Sequence, residues 1–203
     1  LISELLLSEN PVVVSGIQDF DYQSLVLEIN QKLNSEAFQP NKTILTRQGN
    51  DKDVEKLIID MNNDKVGAII MSGVNPVYTL SNSNSFIEGL KKTELSVLFS
   101  MKNDETAQYV SYLAASPHYL ESWGDAEMTK GEYSITQPTI RPIFDTKQFQ
   151  EILLLWNNNS TTFHDYLKSN WKKNILSVKT WNEALHDGIY ENKKSTNSRS
   201  SFI

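Results

Sequence analysis

The stretch from Lys65 to Pro76, Lys-Val-Gly-Ala-Ile-Ile-Met-Ser-Gly-Val-Asn-Pro, leaves this chain few ways to fold. Val66 to Met71 is almost purely apolar, lacks period-two alternation and has β-branched residues at its centre. It is short for a helix, and the pattern predicts a strand covered on both faces. The run then stops on Ser72-Gly73-Val74-Asn75-Pro76. Gly takes positive φ readily, Asn tolerates the left-handed region and Pro removes a backbone donor, so the strand must break into a loop. Loops at the carboxyl ends of parallel strands are where open α/β sheets bind ligands. Spacing and composition thus give the location of a site and no reaction.

Elements before and after this strand alternate. Leu1–Ser8 reads as a short helix or the tail of a preceding segment. Pro11–Gly16 reads as a strand ending in a turn, Asp21–Asn34 as an amphipathic helix capped by Asp21, and Thr43–Thr46 as a second strand. Asn50 or Asp51 opens a helix to about Asn63, with Val54, Leu57, Ile58 and Met61 three and four apart. Ser83–Thr93 is a further helix and Leu95–Met101 a further strand. Asp104 is expected to open a helix running from Glu105 to about Ala115 and ending near Pro117. Such alternation predicts an α/β fold, a Rossmann-like three-layer domain with a mostly parallel sheet. Residues 118–145, with Gly124, Gly131, Pro138 and Pro142, read as a long loop, functional, disordered or wrapped over a partner, that completes a domain over 1–145. Helices starting at Thr146 and Thr161 and spanning Thr180–Ile189 make a helical extension over 146–190. Asn192–Ser201 is polar and of low complexity, and residues 191–203 read as a flexible tail.

Composition removes several functions. A formal net charge of −6 provides no basic field for nucleic acid or anionic lipid. With 0 Cys the chain supplies no disulfide, thiolate metal site, iron–sulfur ligand or Cys nucleophile. No apolar run reaches the ~18–20 residues of a membrane span, so direct insertion is not expected. Residues 1–16 lack the plan of a signal peptide. The chain begins at Leu1 rather than Met, and we read it as a piece of a longer protein.

Candidate chemistry concentrates near the first strand described. Gly73-Val74-Asn75-Pro76 could offer backbone amides and the Asn75 amide to a nucleotide or phosphate, or could be a plain strand-to-helix turn. Gly16 closes its own short run without the further glycines of a dinucleotide fingerprint, and no phosphate-loop motif occurs. His118, His164 and His186 lie far apart and in no metal-ligand pattern. Glu121, Asp125 and Glu127 crowd the loop after His118, where they could bind a cation or act as acid and base, though a solvated acidic face is the commoner role. Ser15 and Ser72 each precede a Gly but form no nucleophile elbow. Trp156, Phe163, Trp171 and Trp181 sit at helical spacing, as core or an interface with a neighbour domain. Asn41 and Asn159 begin glycosylation triplets, a pattern frequent by chance.

The order of several motifs is more specific than any one of them. Ile69-Ile70-Met71-Ser72-Gly73-Val74-Asn75-Pro76 is followed by Phe86-Ile87-Glu88-Gly89-Leu90-Lys91-Lys92 and then by Asn103-Asp104-Glu105-Thr106-Ala107. Next come His118-Tyr119-Leu120-Glu121-Ser122-Trp123-Gly124-Asp125, the run Gly131–Pro142, and Trp181-Asn182-Glu183-Ala184-Leu185-His186-Asp187-Gly188. This series resembles the molybdopterin oxidoreductase family over roughly residues 10–190. Within the family it is most similar to the fused molybdopterin-like and iron–sulfur subunit of alternative complex III, a bacterial quinol-oxidising complex. The resemblance implies a Rossmann-like domain that helps hold one guanosine arm of a molybdopterin guanine dinucleotide. Carried over by position, the cofactor-facing residues are Gly16, Ser72, Gly73, Asn75, Glu105, Thr106, Ser111 and Glu121, with no metal ligand among them. Where the family has Ala-Asp-Val-Val-Leu-Pro this chain has Val110-Ser111-Tyr112-Leu113-Ala114-Ala115. Ser111 thus replaces a carboxylate, and a short Ser cannot offer the same charged acceptor to a guanine edge. The resemblance therefore implies a vestigial domain in an exported, periplasmic respiratory subunit. Its partners would be the parent chain's other domains and the membrane complex's subunits, with the quinol chemistry elsewhere. Rival readings are a working molybdenum enzyme whose ligands lie outside this segment, and a free-standing nucleotide-binding module.

Overall fold

The computed structural model describes residues 2–46 and 49–192. These divide into two compact units. Of the described residues, one holds 2–46, 127–133 and 191–192, and the other holds 49–126 and 134–190.

The first unit carries helices α1 (Ile2–Leu7) and α2 (Phe20–Leu33). The cap of α2 is Asp19 rather than the expected Asp21, its carboxylate accepting from the amides of Asp21 and Tyr22 at 3.0 and 3.3 Å. An extended residue with a short acceptor is what an N-cap requires, and Asp19 has that backbone (φ −94°, ψ 138°). Residues 11–16 form no strand, contrary to expectation. The extended chain there is held by α2: the buried Asn30 accepts from the Val13 amide and donates to the Val13 carbonyl, both at 2.8 Å. One side-chain amide thus serves as the strand partner. Thr43–Thr46 forms a single antiparallel bridge, Ile44 opposite Thr129, and does not join a parallel sheet.

The second unit contains a three-stranded parallel sheet in the order β1 (Ala68–Ser72), β2 (Leu95–Ser100), β3 (Tyr112–Ala115). The chain is accordingly α/β, with helices around this sheet. The sequence predicts that β1 is covered on both faces, but it is the edge strand, and Ile70 is 45% exposed. That role belongs to β2, where Ser96 to Phe99 are all buried. Alternation along the strands sends Met71 and Leu98 to one face and Phe99 to the other. Met71 and Leu98 pack with Ile58 and Met61 of α3 (Asp51–Asn62) and with Phe86 and Leu90 of α5 (Ser83–Lys92). Fully burying each such side chain is worth about 1.5–3 kcal/mol. On the opposite face, Phe99 meets Phe149 and Trp156 of α6 (Phe149–Trp156), with ring centroids 4.9 and 6.2 Å away. Helix, sheet and helix form three layers.

The helix expected over 105–115 does not form. A 3₁₀ turn spans Ala107–Tyr109, Val110 is extended, and β3 pairs in register with β2, Val97 opposite Tyr112 through Ser100 opposite Ala115. Pairing with a buried strand overrides the helical tendency of the local sequence. The long connection over 118–145 is likewise structured. It holds a 3₁₀ turn at Tyr119–Glu121 and the strands β4 (Gly124–Thr129) and β5 (Glu132–Thr136), which with β6 (Ile189–Glu191) make an antiparallel sheet in the order β4-β5-β6.

Helix α6 begins three residues later than the expected Thr146, and α7 (Phe163–Asn170) is capped by Thr162 rather than Thr161. The last helix, α8 (Trp181–Asp187), ends at Gly188, whose φ of +74° lets the chain turn into β6. Residues 193–203 of the expected tail lie outside the described residues.

Candidate functional site

Two parallel strands end together, and the loop after each one shapes the site. After β1, Gly73 takes φ +66°, a conformation costly to any residue with a Cβ, and its amide donates to the Phe99 carbonyl at 3.1 Å. The chain then enters a one-turn helix, α4 (Pro76–Thr79). After β2, Asp104 folds the chain back on itself. Its Oδ1 accepts the amides of Thr106 and Ala107, each at 3.1 Å, and its Oδ2 accepts the Ser100 hydroxyl at 3.3 Å.

The two loops are joined through side chains. Thr106, wholly buried, donates its hydroxyl to Asn75 Oδ1 at 2.6 Å and accepts the Val77 amide at 3.1 Å. Asn75 Nδ2 donates to Glu105 Oε2 at 2.7 Å. That bond, with one from the Glu105 backbone, holds the Glu105 carboxyl below the usual carboxylate range. Beside this lattice lies an open groove of about 580 Å³, lined by Ser72, Gly73, Asn75, Met101, Lys102 and Tyr119 among others.

Of the residues singled out from the sequence, the fold brings Ser72, Gly73, Asn75, Glu105 and Thr106 to one end of the sheet. Ser111 stands elsewhere. Its amide donates to Ser96 Oγ at 2.8 Å and its hydroxyl meets Ser96 Oγ at 3.2 Å. Position 111 precedes β3, four register positions, or ~13 Å of strand, before Ala115 at the carboxyl end. Glu121 lines a neighbouring groove with Trp123 and Arg141, and its carboxylate accepts from the amides of His118 (3.0 Å) and Ile143 (3.1 Å). It therefore clamps its own loop. Gly16 belongs to the other unit, on the extended stretch before α2.

Sequence reasoning missed Ser100, Lys102 and Tyr119 as lining residues, and it cast Asp104 as a helix start. A legible signal was present. An Asp two residues before a Thr, just past a strand, is an Asx-turn pattern as readily as a helix cap.

An α/β loop that binds a dinucleotide offers its helix N-terminus to the phosphates. Here that end is occupied by the protein itself. Pro76 has no amide hydrogen, Val77 N–H goes to Thr106, and the amides of Tyr78 and Thr79 go to the Asn75 carbonyl at 3.1 and 3.0 Å. Residues 76 to 79 thus have no amide free to donate to a pyrophosphate. Among the described residues no group of three or more His, Asp or Glu is placed to hold a metal ion. No helix among them is long and apolar enough to cross a membrane.

No protein-family model and no curated protein sequence matches the chain. Among solved structures, acetylene hydratase from Pelobacter acetylenicus is similar, with a TM-score of 0.53 and 18% identity. The match covers 68% of this chain and 20% of that one, so the chain spans about a fifth of the length of its structural relative. At that identity, the likeness is one of fold.

Proposed function

We propose that this chain is an α/β domain of a molybdopterin-family oxidoreductase subunit, in which it serves as a scaffold for electron-carrying neighbours rather than as a loaded cofactor site. The fold likeness supports the family, acetylene hydratase being a molybdopterin-family enzyme. So does the ordered set of motifs from Ile69 to Gly188. The observation that carries the scaffold role is the bond from Val77 N–H to the buried Thr106 hydroxyl, which closes the helix end that a guanosine arm's phosphates would use. We place the parent in an exported bacterial quinol-oxidising complex of the alternative complex III type, on the periplasmic side of the membrane. The residues of this chain hold two loops together there, and the redox chemistry lies in other domains and subunits.

The test is made on the intact parent subunit, as molybdenum by elemental analysis and guanine nucleotide released on denaturation. The scaffold reading expects neither in an otherwise active quinol-oxidising complex. Near-stoichiometric amounts of both would establish a working pterin domain instead, with the groove at Asn75 and Lys102 opened to admit it.

A further inference from the structure

A run of aromatic rings lies apart from the groove at Asn75, within the larger unit. Trp123 packs on His164 with centroids 4.5 Å apart, His164 on Trp181 at 6.1 Å, and Trp181 on Trp171 at 6.0 Å. Trp171 is wholly buried and Trp181 is 3% exposed, whereas Trp123 is half-buried and lines a surface groove. The indole N–H of Trp171 donates to Asp125 Oδ2 at 2.7 Å, and Asp125 is itself exposed. A buried indole requires an acceptor. A backbone carbonyl would satisfy that need; the partner here is a carboxylate, which is also a base with access to water.

We propose that Trp123, Trp181 and Trp171 form a one-electron hopping path whose inner end is coupled to proton transfer onto Asp125. Electron tunnelling falls off exponentially with the gap between donor and acceptor; Trp181 and Trp171 are near neighbours, and His164 touches both Trp123 and Trp181. A one-electron-oxidised indole is a far stronger acid than indole. An outer-sphere metal-complex oxidant takes one electron from Trp123. Trp181 refills Trp123, and Trp171 refills Trp181. Trp171 then passes its indole proton to Asp125, which releases it to water. The oxidant is reduced by one electron, Trp171 becomes a neutral indolyl radical, and one proton reaches solvent. Loss of that proton is what keeps the oxidising equivalent at Trp171, away from solvent. The path needs no cofactor in the groove and does not depend on the scaffold reading.

The experiment uses photogenerated ruthenium(III) tris-bipyridine on the whole chain in a Trp156→Phe background, because Trp156 is 54% exposed and would be oxidised directly. Indolyl radicals are followed by transient absorption and electron paramagnetic resonance, with ascorbate present to reduce any radical at the surface. The expected result is a neutral indolyl radical that outlives ascorbate. In Trp181→Phe that protected radical is lost and only a rapidly quenched Trp123 radical remains. His164→Ala, which removes the bridging ring without removing a buried indole, reduces its yield in the same sense and decides the matter if Trp181→Phe does not fold. Asp125→Asn removes the deprotonation step, and the protected neutral radical with it. Equal yields of protected radical in His164→Ala and the parent, or in Asp125→Asn and the parent, would overturn the path.

Discussion

At the scale of single residues, Thr106 is the joint of the candidate site. It is buried and satisfies two groups at once, the Val77 amide and the Asn75 side chain. Thr106→Val keeps the shape and leaves both without a partner, so we expect a loss of about 2–3 kcal/mol in urea unfolding. Thr106→Ser keeps the hydroxyl, and its expected cost is about 1 kcal/mol for the lost methyl. Equal costs for the two would show that packing, and not the hydrogen bonds, is what Thr106 provides. Gly89 poses a different constraint. A Cβ there would lie 2.8 Å from Met61 Cβ, an atom that cannot swing away. Helix propensity favours Ala over Gly by about 1 kcal/mol, whereas overpacking costs about 1–3 kcal/mol. We expect Gly89→Ala to be destabilising in the same urea measurement, and a stabilised variant would mean that α3 gives way. From the sequence, Gly89 is an isolated helix glycine. Only its position against Met61 explains it.

Among the elements, those with strong local signals were legible and those depending on a partner were not. Helix α3 carries its own cap in Asn50 and its own apolar spacing, and it formed where expected. Helix α8 carries a capping box, with Thr180 Oγ1 accepting from the Glu183 amide and the Thr180 amide donating to the Glu183 carboxylate. Thr180→Ala should therefore weaken α8, costing about 1 kcal/mol by thermal unfolding monitored by circular dichroism. No change would mean that the packing of Trp181 alone holds the helix. Strand β3 is the opposite case. Val110–Ala115 has no strand signal strong enough to be told from a helix end, and its state is settled by the free edge of β2, with which it makes four register pairs. Pro11–Gly16 fails in reverse. It is β-branched and short, as a strand should be, but Asn30 takes both of Val13's hydrogen-bonding groups, so it finds a side chain instead of a ladder.

For the whole molecule, surface charge makes stability depend on pH in a definite direction. Glu28, Glu105, Glu183 and Asp187 are held below their usual values by Lys32, Asn75, Thr180 and Lys179 respectively. Each contribution is fully present above the unfolded-state value and is lost as pH falls through the lowered folded one. Lys42, Lys91 and Lys179 are raised, chiefly by Glu132, Glu88 and Asp187, and lose their contribution only as pH rises through their folded values. The melting temperature should therefore be flat near neutrality and fall as pH drops from the usual carboxylate range through the lowered folded values, with Glu105→Gln shallower there. An acid limb unchanged in Glu105→Gln would remove the Asn75 bond from the account. What the amino-acid sequence determined alone was the α/β class, the break into a loop at Gly73–Pro76 and the lack of cysteine, because apolar period, Gly, Pro and residue inventory act over a few neighbours. Which strand lies at the centre, where Ser111 stands relative to Asn75, and that Thr106 closes the end of α4 were decided by the tertiary structure. Those facts rest on bonds between residues some thirty positions apart, such as Asn75 to Glu105 and Val77 to Thr106, and no local pattern records which distant partner a hydrogen bond will find.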